Sequence, residues 1–207
     1  MIVVVDYGVN NLASVVRALA AGGHGATLAD DPEVVRRAAR VVMPGVGHFA
    51  RAAANLSRTG LGEAVREVAA AGRPVLGICL GLQLFFTTSE EAPGVAGLGL
   101  LPGTVQRFRT ALPVPHVGWS RVEPTAAGRA HPALATTFPD GAAAFFYHVH
   151  SFHPAALAAG TALAEAEYGE RFPTLVGRDN VLGAQFHPEK SQTAGIGLLA
   201  AFAEWTP

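Results

Sequence analysis

The chain is poor in sulfur and in charge: it has one cysteine, Cys79, one lysine, Lys190, and only 15% charged residues in 207. A single cysteine excludes an internal disulfide and leaves that thiol as either core filler or chemistry. The formal net charge of -1 provides no basic surplus to attract nucleic acid. Half the residues are apolar, yet Gly, Pro or a charge breaks each apolar run well before the roughly 20 residues of a membrane span. No basic segment or small-residue cleavage site precedes Ile2-Val3-Val4-Val5-Asp6, so a soluble, cytoplasmic protein is expected. Arginine replaces lysine almost everywhere and alanine is abundant, a bias of the whole composition. The length suits one α/β domain and is short for two, so residues 1–207 are expected to form a single domain.

The first half alternates β-branched runs with amphipathic stretches, as βαβ units do. Strands are predicted at Ile2 to Val5, Ala26 to Ala29, Arg40 to Met43 and Pro74 to Ile78. Helical spacing of Leu12, Val15, Val16 and Leu19 predicts a helix stopped by Gly22-Gly23, and others are predicted from Asp31-Pro32 and over Leu61 to Ala71. The second half has shorter runs, at Thr104 to Phe108, Ala143 to Val149, Ala162 to Tyr168, Thr174 to Val176 and Val181 to Phe186, and predicts mostly antiparallel strands. Ile196 to Trp205 has the period of a terminal helix. The expected class is therefore α/β: an open, mostly parallel twisted sheet with flanking helices and additional antiparallel strands. Such sheets bind ligands beyond the carboxyl ends of their parallel strands, where both the Pro44-Gly45-Val46-Gly47 turn and Cys79 fall.

Gly77-Ile78-Cys79-Leu80-Gly81 has the form of a nucleophile elbow, a strand turning abruptly into a helix with glycines relieving the crowding. The thiol would sit at the start of a helix over Leu80 to Phe86, whose free amides favour thiolate. On its own this motif leaves the core-filler reading open. A cysteine nucleophile needs a base, and Gln185-Phe186-His187-Pro188-Glu189-Lys190 offers one. Proline fixes a turn after His187 and lets Glu189 fold back on the imidazole, so Cys79, His187 and Glu189 can act as nucleophile, base and orienting carboxylate.

Gly77-Ile78-Cys79-Leu80-Gly81-Leu82-Gln83 and Gln185-Phe186-His187-Pro188-Glu189 closely resemble the triad signatures of class I glutamine amidotransferases. More narrowly, Asp6-Tyr7-Gly8-Val9-Asn10-Asn11-Leu12, Met43 to Gly47, His116-Val117-Gly118-Trp119 and Val149-His150-Ser151 resemble the glutaminase subunits of imidazole glycerol phosphate synthases, over nearly the whole chain. The resemblance implies a flavodoxin-like amidotransferase fold and hydrolysis of L-glutamine, without a cofactor. The ammonia would pass to a (β/α)8-barrel cyclase subunit in a heterodimer of histidine biosynthesis, with no nucleic acid or membrane involved. It further implies that Gln83, Glu91 and the backbone of Gly47, Ser151 and Phe152 bind glutamine, and that Asn11, Tyr147 and Lys190 lie at the partner interface. The amides of Val46 and Leu80 are the candidate oxyanion donors.

The chain departs from the family pattern at Asn10, where glycine is usual, and at Ser120, where asparagine is usual. Asn tolerates positive φ, so Asn10 is expected to preserve the turn. His148, His150 and His153 form a histidine-rich cluster, and the first two would share a strand face. No metal is expected there, because no thiol or carboxylate accompanies them. The sequence leaves open a glutaminase feeding another synthase, or a silent scaffold on the same fold.

Overall fold

The computed structural model describes residues 1–207. In chain order the first half gives β1 (Ile2–Val5), α1 (Leu12–Ala21), β2 (Ala26–Ala29), α2 (Pro32–Arg36), β3 (Arg40–Gly45), α3 (Phe49–Thr59), α4 (Leu61–Ala70), β4 (Val75–Cys79) and α5 (Leu80–Gln83). Then follow β5 (Thr88–Ser89), β6 (Thr104–Arg107), β7 (His116–Pro124), α6 (Ala126–Ala130), β8 (Ala144–His150), β9 (Phe152–Ala155), β10 (Ala162–Glu167), β11 (Arg171–Arg178), β12 (Val181–Ala184) and α7 (Gln192–Glu204). No helix is long and apolar enough to cross a membrane.

One nine-stranded sheet has the order β2-β1-β3-β4-β12-β11-β10-β7-β8. From β2 to β12 every pairing is parallel, and from β12 to β8 every pairing is antiparallel. The α/β class read from the sequence is the one that forms. Strand pleating decides the layering: Ile2 and Val4 enter a core with α1 and α7, whereas Val3 and Val5 enter a second core with α2, α3 and α4. The cores are nearly equal, at 29 and 27 buried residues, so the parallel strands must be apolar on both faces. A three-stranded sheet, β5-β6-β9, packs against β11 through β9.

Several expected boundaries move. The helix predicted over Leu80 to Phe86 stops at Gln83. Instead of continuing an i to i+4 ladder, the carbonyls of Leu84 and Phe85 accept hydrogen bonds from the amides of Leu98 and Leu100, at 2.7 and 2.8 Å. Helix α3 has no counterpart among the predicted elements, although Phe49, Ala52 and Leu56 form a buried stripe at helical spacing. Strand β7 is interrupted in sequence by Gly118 and was visible only as a motif.

The predicted histidine cluster gains a fourth member from β7. His116, His148, His150 and His153 are all buried, packed around Phe108, Phe172 and Tyr168. The His116 and His148 rings stack with centroids 4.9 Å apart, and His150 lies 5.4 Å from each. Nδ1 of His148, His150 and His153 faces the carbonyls of Phe146, Phe152 and Pro154, at 3.0, 2.8 and 2.9 Å, which assigns the single proton of each neutral ring to Nδ1. Ser120, one of the departures, bonds His116 Nε2 at 2.9 Å. No group of three or more His, Cys, Asp or Glu side chains is arranged to hold a metal ion.

Burial pushes His148 down to about 3 and His116 to about 4, and it holds His150 well below its ordinary value. In the unfolded chain such rings take a proton near pH 6.5. The stability tied to keeping them neutral is complete above about pH 6.5 and is lost as pH falls toward the folded values. Thermal unfolding at pH 7 and pH 5 should show a lower midpoint at pH 5, His148 alone contributing about 2 kcal/mol of the loss. His148→Phe should flatten that pH dependence.

Candidate active site

Strand β4 is fully buried and delivers Cys79 to the sheet's carboxyl edge in a conformation that few L residues adopt, φ 54° and ψ -109°. The turn is crowded. A Cβ at Gly77 would come within 2.7 Å of the Leu82 backbone, and one at Gly81 would collide with the Met43 carbonyl. Both glycines of the elbow are therefore required by close approach. Cys79 is 6% exposed, at the wall of a cavity of about 280 Å³. A larger hollow of about 610 Å³ beside His131 and Arg178 contains no thiol. The four-residue α5 has little macrodipole, so any activation from this side comes from its first amides and not from a long helix.

Gln185 and Phe186 lead from β12 to His187, whose amide donates to the Tyr147 carbonyl at 2.9 Å. Pro188 opens a single 3-10 turn, Pro188–Lys190, that brings Glu189 back onto the ring. His187 Nδ1 donates to Glu189 Oε1 at 2.7 Å, with both side chains almost wholly buried. Burial by itself would lower the proton affinity of His187. The charge of the neighbouring Cys79 sulfur when ionised, together with Glu189, outweighs burial and raises His187 to about 10. This keeps the His187 ring protonated in the neutral range. Nε2 makes no hydrogen bond of good geometry, so thiol and ring lie close but are not yet aligned, a common state before substrate binds.

The expected substrate and oxyanion residues gather around the same cavity: Val46, Gly47, Leu80, Gln83, Glu91, Ser151 and Phe152 all line it with Cys79. Two of them already have protein partners. Gln83 Nε2 donates to the Phe152 carbonyl at 3.1 Å and to Gln185 Oε1 at 3.2 Å, and Gln185 Nε2 in turn donates to Cys79 Sγ at 3.7 Å. Glu91 Oε2 accepts from the Phe49 amide at 2.8 Å, tying the start of α3 to the cavity wall. Gln185 was not singled out in the sequence, although it stands within the motif that supplies His187.

Asn11, expected at a partner interface, turns its side chain toward the triad and donates to Glu189 Oε1 at 2.5 Å. It is also the residue that adopts the left-handed conformation ahead of α1, at φ 77°. The positive φ expected at Asn10 occurs instead at Gly8 and Asn11, and nothing in the structure explains Asn10 itself. Lys190 Nζ lies 5.7 Å over the Tyr147 ring, and Ser191 Oγ accepts from the Tyr147 amide at 3.0 Å. Asn11, Tyr147 and Lys190 thus surround the His187–Glu189 turn from behind.

The chain matches the family model for glutamine amidotransferase class-I over residues 3–203. It is 50% identical to imidazole glycerol phosphate synthase subunit HisH of Symbiobacterium thermophilum over 199 residues, covering 96% of this chain and 91% of that protein. The subunit of the same name from Salinibacter ruber is 43% identical, covering 98% and 94%. Among solved structures, a glutamine amidotransferase superposes with TM-score 0.76 at 21% identity, covering 98% of this chain and 97% of the other. Thermotoga maritima PurLQS gives 0.76 at 17%, covering 98% and 96%. Similarity to such distant structures speaks for the fold alone, but the matched model spans almost the whole length, and the chain belongs to the class I glutamine amidotransferases.

Proposed function

We propose that residues 1–207 act as one cytoplasmic glutaminase domain, the ammonia-producing subunit of an imidazole glycerol phosphate synthase. The observation that carries this reading is the convergence of Cys79, at a strained elbow, with the His187–Glu189 pair beside a cavity suited to a free amino acid. Cys79 Sγ attacks the side-chain carboxamide carbon of glutamine, and the amides of Val46 and Leu80 stabilise the oxyanion. Imidazolium His187 gives its proton to the departing nitrogen, releasing ammonia and leaving a γ-glutamyl thioester. His187 then takes a proton from water as it attacks the thioester carbonyl, glutamate leaves, and the thiolate is restored. Glu189, held by Asn11, fixes the tautomer and orientation of the ring throughout.

The partner would be a (β/α)8-barrel cyclase, joined in a heterodimer, that uses the ammonia to form imidazole glycerol phosphate and an aminoimidazole carboxamide ribotide. The edge of the large sheet supports such docking. Val117, Trp119 and Phe145 are 57%, 46% and 57% exposed. Register places Val117 beside Val149 and Trp119 beside Tyr147, so this apolar face adjoins the ring over which Lys190 lies. Aromatic side chains and a lone cation on one face are typical interface anchors.

The deciding assay is glutamate release from glutamine by the chain alone and with the cyclase plus its ribonucleotide substrate. Strong stimulation is expected; activity indifferent to this cyclase would transfer the glutaminase to another synthase. Cys79→Ser should abolish release, and full activity in that variant would remove the enzymatic reading. Asn11→Ala, which deletes a hydrogen bond to a buried carboxylate, should lower kcat about tenfold or more. Trp119→Ala should weaken cyclase binding about tenfold in a titration while sparing unstimulated hydrolysis.

A further inference from the structure

The phenol of Tyr7 is an unassigned group close to the cavity. Tyr7 follows β1, is 2% exposed, and donates its hydroxyl proton to the Pro44 carbonyl at 2.7 Å. That carbonyl belongs to the peptide immediately before Gly45-Val46-Gly47, the turn bearing the proposed oxyanion amide. Gly45 is where the hydroxyl passes, and a Cβ there would collide with it. The other side of the turn is tied as well: the Tyr7 carbonyl accepts from Asn55 Nδ2 of α3 at 3.0 Å, and the Phe49 amide at the start of α3 is held by Glu91. Tyr7 therefore bonds the strand end before the turn through its hydroxyl, and the body of α3 beyond the turn through its carbonyl. Burial, and then the nearby Cys79, push the phenol proton affinity upward, so it remains a donor throughout the neutral range.

We propose that Tyr7 is a positioning residue for the oxyanion turn, its buried hydroxyl fixing the Pro44 carbonyl so that the Val46 amide is held at the tetrahedral intermediate formed on Cys79. The proposal rests on the glutaminase reading. With Pro44 anchored, rotation in the turn is confined to the peptides around Val46, whose flanking residues Gly45 and Gly47 oppose it least; Gly47 already stands at φ 126°. Without the anchor, the strand end and the turn move together and the amide loses its aim. An amide out of place by a fraction of an ångström forfeits stabilisation of developing charge while leaving ground-state substrate contacts in place.

Tyr7→Phe keeps the ring and removes only the hydroxyl. In the complex with cyclase and its ribonucleotide, kcat for glutamine hydrolysis should fall about 10- to 100-fold, with KM within about threefold of wild type. Alkylation of Cys79 by iodoacetamide forms a carbon–sulfur bond and expels iodide without an oxyanion, so its rate should be unchanged in the same variant. Gly45→Ala, whose methyl group presses on the hydroxyl, should lower kcat in wild type and be partly rescued when combined with Tyr7→Phe. An unchanged kcat in Tyr7→Phe would overturn the proposal, as would a parallel fall in alkylation, which would assign the hydroxyl to the thiol or to the stability of the site. Failure of the wild-type complex to release glutamate would instead overturn the glutaminase reading, and this proposal with it.

Discussion

Parallel pairing of β3 with β4 sets Gly45 directly opposite Cys79, and the candidate site is built outward from that register. Two chain segments that must cooperate, a turn with a rotatable amide and an elbow with a sulfur, leave the sheet at the same level because their strands share one ladder. The next parallel partner extends the effect: Ala184 of β12 lies opposite Ile78, so the residues that follow, through His187, emerge beside the elbow. A slip of one residue in either ladder would exchange inward and outward faces and separate thiol from imidazole. The apolar character of β1, β3, β4 and β12 on both faces, which gives the sheet its two cores, is thus also what holds the site in alignment.

The strands of this frame were legible in the sequence because their runs are short, β-branched and bounded by turn residues; Ile2 to Val5 and Ala26 to Ala29 form as expected. The elbow at Cys79 and the turn that joins His187 to Glu189 were legible because glycine and proline force the local geometry there. What could not be read depends on partners remote in sequence. The short α5 ends where Leu98 and Leu100 claim the carbonyls that a longer helix would have used. Resemblance placed Asn11 near a partner interface, and its bond to Glu189, which spans almost the length of the chain, was not foreseen. Helix α3 was missed although Phe49, Ala52 and Leu56 mark one face at helical spacing. His116 was seen only as part of a motif, and its membership of the histidine cluster follows from the pairing of β7 with β8, which puts it opposite His150.

Beside the cavity, buried polar groups are linked in a chain rather than in isolated pairs. Gln83 Nε2 donates both to the Phe152 carbonyl and to Gln185 Oε1, and Gln185 passes the chain on by donating from Nε2 to the Cys79 sulfur. Such chains fix rotamers that an apolar core would leave loose, and they give the cavity wall a defined shape before any ligand arrives. The histidine cluster shows the complementary solution: four ionisable rings are retained by remaining neutral, three donating from Nδ1 to backbone carbonyls and His116 bonding the Ser120 hydroxyl through Nε2.

The apolar edge formed by Val117, Trp119 and Phe145 has a consequence for the life of the chain in a cell. Exposed aromatics gathered on one face of the last two strands favour self-association as long as nothing covers them. A subunit with such an edge is safest when its synthesis is matched to that of whatever covers it, and surplus copies become natural clients for chaperones and proteases. Balanced production of two chains is then a requirement imposed by the surface chemistry of one of them.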